Sequence, residues 1–260
     1  MEKIKVFLSD PQVLFREGIH FILSGEEEFE VTGETTSNEE ALPIIETNPP
    51  NIALLSLQCS KLDGCEATRR IKRNLPSVSI ILIIDTKDAD KLFHAIKSGA
   101  SACLTKDVDP DFLLEVIRLV SQGHLPIVDE LTLPGVSPLV MSEFKDVVNI
   151  NKQVDNLLAD LSPRETQVLS AIAAGSTIAQ VAAKFDTNED NIRRSLKMVQ
   201  NKLISNDQAQ SIFEAAQRSM PALIRGKSKD GNLDFVTRAE FNEFKESLMA
   251  RFKSLITEKS

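Results

Sequence analysis

Cysteine and histidine are scarce in this sequence, and their scarcity excludes several classes of protein. Only 3 of the 260 residues are cysteine and only 3 are histidine. They are Cys59, Cys65, Cys103, His20, His94 and His124. An odd number of cysteines without metal-ligand spacing argues against a disulfide scaffold and a zinc site, and no histidine has a serine or carboxylate at the spacing of a catalytic triad. We therefore predict no enzymatic activity, no metal and no cofactor.

The chain also lacks a long apolar run and an excess of positive charge. No segment approaches the roughly 20 consecutive apolar residues that span a bilayer, and no signal-peptide core follows Met1. We therefore expect a cytoplasmic protein that does not bind membranes. The formal net charge is -8, but the acidic excess lies mostly in the first half, so the basic residues of the second half can still gather on one face.

Length and composition suggest two small domains, and residues 1–122 have the pattern of an α/β domain. β-branched runs that alternate with amphipathic helices predict strands at 4–9, 29–34, 52–57, 78–84 and 102–105. Such alternation is typical of a doubly wound, five-stranded parallel sheet. The run at 78–84 is nearly all apolar, as expected of a central strand that is covered on both faces.

Four short motifs give this half a resemblance to the receiver domain of response regulators. In the order of that family they are LFREG at 14–18, DGCEATRR at 63–70, SGA at 98–100 and KD at 106–107. In a doubly wound sheet, ligands gather at the carboxyl ends of the strands. The resemblance therefore implies that a phosphorylation site would lie at that edge.

Several residues of that implied site differ from the family pattern. The acceptor aspartate of the family falls on Ser56, whose hydroxyl cannot form an acyl phosphate and has no adjacent base to activate it. The paired acids after the first strand fall on Asp10 and Pro11, so one carboxylate stands where magnesium normally finds three. Lys106 is retained, and we expect it to form a structural ion pair with Asp10. Aspartyl phosphorylation and tight magnesium binding are therefore not expected.

The residues that relay phosphorylation in the family differ as well. The hydroxyl residue that ends the fourth strand is replaced by Ile84, and the aromatic switch position on the fifth strand by Cys103. We predict an atypical receiver, which serves for dimerisation or for another signal. The apolar faces of helices beginning near Val13 and Pro110 could pair between chains.

Residues 161–210 carry the start and stop signals of three helices. The first has a cap, a proline and a capping-box glutamate at 162, 163 and 165, and Gly175 predicts a left-handed turn after it. Thr177 and Gln180 repeat the capping-box spacing, and Asn188 caps the third helix. The apolar residues that face the other helices in the third helix are Ile192, Leu196, Val199 and Leu203.

This stretch resembles the C-terminal domain of NarL/LuxR-type response regulators, a DNA-reading helix-turn-helix. The family pattern L-T-P-R-E-x-x-V-L corresponds to LSPRETQVL at 161–169. The resemblance implies that double-stranded DNA is the partner and that the base-reading positions are Arg193, Arg194 and Lys197, because arginine and lysine suit the acceptor edge of guanine. The side chains expected to hold the DNA backbone are Asn191, Thr177 and Lys202.

Two departures and one alternative qualify this resemblance. Ile204 stands where the family frequently has a glycine, and Ser195 replaces a common histidine, so the end of the helix and the target sequence are expected to differ. The alternative is a helical hairpin that packs on another domain with its charges in solvent.

The connecting and terminal segments complete the predicted organisation. Pro126, Pro134, Gly135 and Pro138 predict a flexible tether at 123–139, too broken for a core element, within a linker at 123–158 that also carries a helical segment. The DNA-binding domain follows at 159–220. In the last segment, 221–260, a break precedes an amphipathic helix at 236–256, which could form a coiled-coil seam or a docking helix.

The leading hypothesis is a dimeric, sequence-specific transcriptional regulator that acts independently of aspartyl phosphorylation, with RNA polymerase or another regulator as a further partner. The first alternative is a protein-interaction adaptor that has lost DNA binding. The second is a thiol sensor at Cys59 or Cys65, against which stands the common packing of free cysteines as small apolar residues.

Overall fold

The computed structural model describes residues 3–59, 61–151 and 158–219. Residues 1–210 form one compact unit, and residues 211–260 form a second unit that is described only as far as the end of a helix at Ser219. The helix predicted at 236–256 lies outside the described residues.

The first part of the chain is a five-stranded, all-parallel sheet with helices on both faces, as the sequence predicts. The strand order is β2-β1-β3-β4-β5. The strands are β1 Ile4–Ser9, β2 Phe29–Thr35, β3 Ile52–Ser56, β4 Ser79–Ile84 and β5 Ala102–Thr105. The helices between and after them are α1 Val13–Ser24, α2 Asn38–Thr47, α3 Gly64–Asn74, α4 Ala89–Ser98 and α5 Pro110–Ser121.

The interior strand β4, which lies between β3 and β5, contributes to two apolar cores, one on each face of the sheet. Ile81 and Ile83 pack in the core that α1 and α5 cover. The residues that alternate with them, Ile80, Leu82 and Ile84, pack in the other core, together with α3 and α4. Because side chains alternate across a strand, a strand covered on both faces must be apolar at nearly every position.

The segment after α5 differs from the flexible tether that the sequence predicts. It forms two helices, α6 Ile127–Glu130 and α7 Val136–Asn151. Ile127, Leu131 and Val140 are fully buried and belong to the same core as α3 and α4. The prolines misled the prediction because Pro126 precedes α6 and Pro138 lies in the first turn of α7, where a missing N–H breaks no helical hydrogen bond.

Three further helices follow, α8 Pro163–Ala173, α9 Ile178–Lys184 and α10 Glu189–Ser219. Both predicted capping boxes are present, Ser162 with Glu165 and Thr177 with Gln180, and Gly175 has a left-handed φ of 92°. The apolar positions Ile192, Leu196, Val199 and Leu203 are fully buried. None of the helices in the described part of the chain is long and apolar enough to cross a membrane.

Candidate functional site

The first turns of α10 present the three basic residues that the sequence assigns to base reading. Arg194 and Lys197 are exposed. Arg193 is about half exposed, and its guanidinium contacts Asp129 of α6 at 3.2 Å and Glu189 at 3.3 Å. The helix start is fixed because the Asn188 carboxamide oxygen accepts from the Asn191 N–H at 2.9 Å. The three basic side chains are therefore held at the beginning of one well-capped helix.

The three residues assigned to the DNA backbone lie in different environments. Thr177 is exposed at the start of α9, where its hydroxyl accepts from the Gln180 N–H at 3.2 Å. The Asn191 amide donates to the Thr187 hydroxyl at 2.9 Å. Thr177 and Asn191 thus lie at the starts of α9 and α10, where N–H groups favour anions.

Lys202 is partly exposed, and its ammonium is engaged by partners within the helical domain. Its ammonium donates to the Glu165 carboxylate at 2.6 Å and to the Asp160 carbonyl at 2.8 Å. Burial raises the pKa of Glu165, but the hydrogen bonds from Lys202 and Ser162 outweigh it and hold that pKa below its ordinary value. The sequence pattern missed this role because the partner, Glu165, is distant along the chain.

A second face of α10 packs against the receiver-like part, which sequence reasoning did not predict. The Gln200 amide donates to the Ala100 carbonyl at 3.1 Å. The Asp207 carboxylate pairs with Arg69 of α3 at 2.6 Å and with Lys97 of α4 at 3.5 Å. Positions 193, 200 and 207 are seven residues apart, a helical spacing that could have revealed a common face, but polar side chains there suggest solvent rather than a domain interface.

At the carboxyl edge of the sheet, the retained charged residues Asp10 and Lys106 form an ion pair. The Lys106 ammonium lies 3.2 Å from Asp10 Oδ2 and donates a hydrogen bond to Oδ1 at 3.5 Å, which confirms the predicted ion pair. It also lies 3.1 Å from Asp85, a partner that the sequence did not reveal. Because Asp85 follows β4, the ammonium connects the loops after three strands. Among the described residues, no group of three or more His, Cys, Asp or Glu side chains could hold a metal ion.

Ser56 lies at the end of β3 inside this edge and is almost fully buried. Among the described residues its hydroxyl has no hydrogen-bond partner, so none of them is placed as a base to activate it. Pro11 is exposed, while Ile84 and Cys103 are buried in the core beneath α3 and α4. The implied phosphorylation site therefore has neither a carboxylate acceptor nor a hydroxyl at the end of β4.

The cysteines occupy environments that disfavour the reactive thiolate. Burial raises the pKa of Cys65 to about 12 and that of Cys103 to about 12. Burial also raises the pKa of Cys59, which is only partly covered. Because the thiolate is the nucleophile, these shifts weigh against a thiol sensor.

One side of α1 exposes an apolar surface, which we call the α1 surface and define by Leu14, Gly18 and Phe21. Leu14 is 89% exposed and Phe21 is 80% exposed. Gly18 lies between them, and a side chain added there would meet no atom within 4 Å. Phe112 at the start of α5 is half exposed as well. Large apolar side chains grouped in this way are typical of a surface that another protein covers.

Two family models match this chain, one in each half. Residues 6–118 match the response regulator receiver domain, and residues 159–215 match the luxR family of bacterial regulatory proteins. Transcriptional regulatory protein DegU of Brevibacillus brevis is 28% identical over 224 residues, which cover 82% of this chain and 93% of that protein.

Two further curated proteins show a comparable similarity. Transcriptional regulatory protein LnrK of Bacillus subtilis (strain 168) is 28% identical, over 80% of this chain and 94% of its own length. The nitrate/nitrite response regulator protein homolog of Haemophilus influenzae is 26% identical, over 78% of this chain and 91% of its own length.

Proposed function

Because this chain is a response regulator that joins a receiver domain to a domain of the luxR family of bacterial regulatory proteins, we propose that it regulates transcription as a dimer that binds specific DNA sequences without first accepting a phosphoryl group. Each part of this proposal is supported by a different region of the molecule.

The observation that carries DNA reading is the row of basic side chains on the capped start of α10. Arg194 and Lys197 are exposed, and both can reach the acceptor edge of guanine in a major groove. The Arg193 ion pairs lie at the surface, where such pairs contribute roughly 1 kcal/mol or less. DNA can therefore replace Asp129 as the partner of Arg193.

The contacts to the DNA backbone follow from the local geometry. Thr177 and Asn191 lie at helix starts, where a hydroxyl or an amide can reach a phosphate. Lys202 instead supports the domain from within through Glu165. We therefore assign Lys202 to the scaffold of the reading surface.

Independence from phosphorylation is supported by the chemistry of the sheet edge. Ser56 offers a buried hydroxyl in place of a carboxylate, and Pro11 removes a magnesium ligand. Lys106, which would contact a phosphoryl group in the family, is instead ion-paired with both Asp10 and Asp85.

Dimerisation is supported by the α1 surface. Leu14 and Phe21 lie on either side of Gly18 at nearly equal spacing, so two antiparallel copies of α1 would place Leu14 of each chain against Phe21 of the other. An interface related by a two-fold axis needs this kind of self-complementary surface.

The experiment that tests this function is the selection of genomic fragments by the full chain, followed by affinity measurements on a selected fragment. The double substitution Arg194→Ala with Lys197→Ala removes two reading contacts, and we expect the affinity to fall at least about 100-fold. The matched control, Arg73→Ala with Lys145→Ala, removes the same charges from α3 and α7 and should leave the affinity nearly unchanged. Equal affinity of both double variants would favour the protein-interaction adaptor.

A further inference from the structure

Helix α10 is continuous through the position at which the family resemblance leads us to expect an interruption. Ile204 occupies the place of the frequent glycine, and α10 continues through it to Ser219. An α-helix without an interruption transmits the orientation of one part directly to the next. Whatever fixes the middle of α10 therefore also fixes Arg193, Arg194 and Lys197.

The receiver domain fixes that middle part. Gln200 is nearly fully buried and bonds the backbone before β5. Ile204 lies beside Gly99, where a Cβ on the glycine would meet its side chain at 3.6 Å. One turn later, Asp207 inserts between Arg69 of α3 and Lys97 of α4, and it is only 7% exposed.

One apolar cluster extends from the receiver into the DNA-binding domain through the linker. The core cluster that contains Phe93 and Ile96 of α4 also contains Leu196 and Val199 of α10. The linker joins them, since Phe144 of α7 belongs to the same cluster. Separating the two domains would expose this apolar surface to water, which is unfavourable.

The reading edge of α10 stays open while the receiver is docked. Successive exposed positions follow the helical repeat along one side, namely 190, 194, 197, 201 and 205. The receiver contacts lie on the neighbouring side, at 200, 204 and 207. The first set of positions therefore stays exposed to solvent over several turns of α10 in the docked unit.

A ligand can shift a docked form toward an open one only if it binds the two forms with different affinity. In the family that ligand is the phosphoryl group, but here the acceptor position is held by Ser56, and Lys106 is ion-paired with Asp10 and Asp85. The sheet edge therefore offers no phosphate-driven force that would separate the domains.

We propose that the receiver stays docked on α10 while the helix reads DNA, so that it acts as a rigid holder of the reading residues rather than as a gate that must open. This inference rests on the proposed DNA-binding function and specifies how the receiver takes part in it. In this arrangement Asp129 lies at the edge of the reading surface. DNA displaces Asp129 from Arg193 while the receiver remains docked on α10.

The test is a double-mutant cycle across the interface, read out as affinity for a selected DNA fragment. Arg69→Ala and Asp207→Ala each remove one side of the ion pair in the full chain. We expect each to lower the affinity about fivefold or more, and the double variant to be no weaker than the weaker single variant, because the residues act as one contact. The matched control is Arg70→Ala on the same helix. Within the described part of the chain Arg70 pairs with Glu66, so this variant should bind like the wild type.

The possible outcomes separate this inference from the function on which it rests. Tighter binding by Arg69→Ala or Asp207→Ala would identify the receiver as a gate and overturn the inference. Unchanged affinity in Arg69→Ala would overturn the inference too. If the receiver holds α10 in its reading position, the loss of a residue that contacts α10 must change the affinity for DNA. If thermal melting shows that Arg69→Ala is unfolded, Arg69→Lys, which keeps the charge but loses the forked contact, is expected to give a smaller loss of the same sign. A wild-type chain that selects no DNA would refute the proposed function before any variant is compared.

Discussion

Glu165 connects the start of a helix with the interior of the DNA-binding domain through one buried carboxylate. Its side chain is 9% exposed, accepts the Ser162 N–H at 2.7 Å and pairs with Lys202 at 2.6 Å. The capping role of Glu165 was predictable from the spacing of Ser162 and Glu165. The pairing of Lys202 with Glu165 was not predictable, because a lysine on the third helix can bind either a DNA phosphate or a carboxylate that is distant along the chain.

Removal of the Lys202 ammonium should destabilise the protein. In Lys202→Ala the Glu165 carboxylate keeps its capping bond but loses its charge partner in a nearly buried position. We expect the free energy of unfolding to fall by about 1–3 kcal/mol, measured by urea denaturation. The exposed Lys184→Ala in the same domain serves as the control, and an effect no larger than that of the control would contradict this interpretation.

The ion pair between Glu165 and Lys202 also predicts how the stability of the protein depends on pH. The folded-state pKa of Glu165 lies below its ordinary value because its hydrogen bonds outweigh burial. The carboxylate therefore contributes stability above that ordinary value, and the contribution is lost as the pH falls through the lowered pKa. We expect the wild type to lose more stability on acidification than Lys202→Ala does. If urea denaturation shows that the free energy of unfolding depends on pH in the same way in the wild type and in Lys202→Ala, this explanation is wrong.

At the scale of elements, strands and capped helices were predictable, whereas the linker was not. The periodicity of β-branched runs located all five strands to within two residues at each end. In the linker, the prolines suggested a tether, and the apolar residues at 127, 131, 136 and 140 were too few to indicate a core element. Burial of the linker depends on the surface of α4, which only the folded sheet provides.

The α1 surface should control self-association. Leu14→Glu with Phe21→Glu places two carboxylates where a second copy of α1 would exclude water, and burial of an unpaired charge is strongly unfavourable. We expect the double variant to sediment as a monomer under conditions where the wild type sediments as a dimer. Ile44→Glu, which changes an exposed apolar side chain on α2, should leave the dimer intact. A dimer that persists in the double variant would exclude the α1 surface.

At the scale of the whole molecule, the two domains share one apolar core. Each domain could be predicted from its own motifs, because capping signals and strand periodicity act over short distances. The contacts at Gln200 and Asp207 could not, since their partners lie about 100 residues or more away along the chain and polar side chains do not indicate an interface. The sequence therefore predicted each of the two domains but not the interface between them.

The whole chain should resist aspartyl phosphorylation. Incubation with acetyl phosphate and magnesium is expected to leave the intact mass unchanged, because the buried Ser56 hydroxyl has no hydrogen-bond partner in the described ranges that could act as a base and Lys106 is already paired. A response regulator that has the acceptor aspartate provides the positive control under the same conditions. An added phosphoryl group on this protein would overturn the proposed independence.

Because α10 is unbroken, a change in how it docks on the receiver would displace its reading end. Arg194 and Asp207 are separated by 13 residues, so they lie about 20 Å apart along the axis. A tilt of about 5° at the pivot beside Arg69 would displace Arg194 by about 1.7 Å, since each helical residue adds a rise of about 1.5 Å. A shift of that size moves a guanidinium from one base pair edge toward the next, so small changes of shape in α3 could retune which operators this regulator prefers.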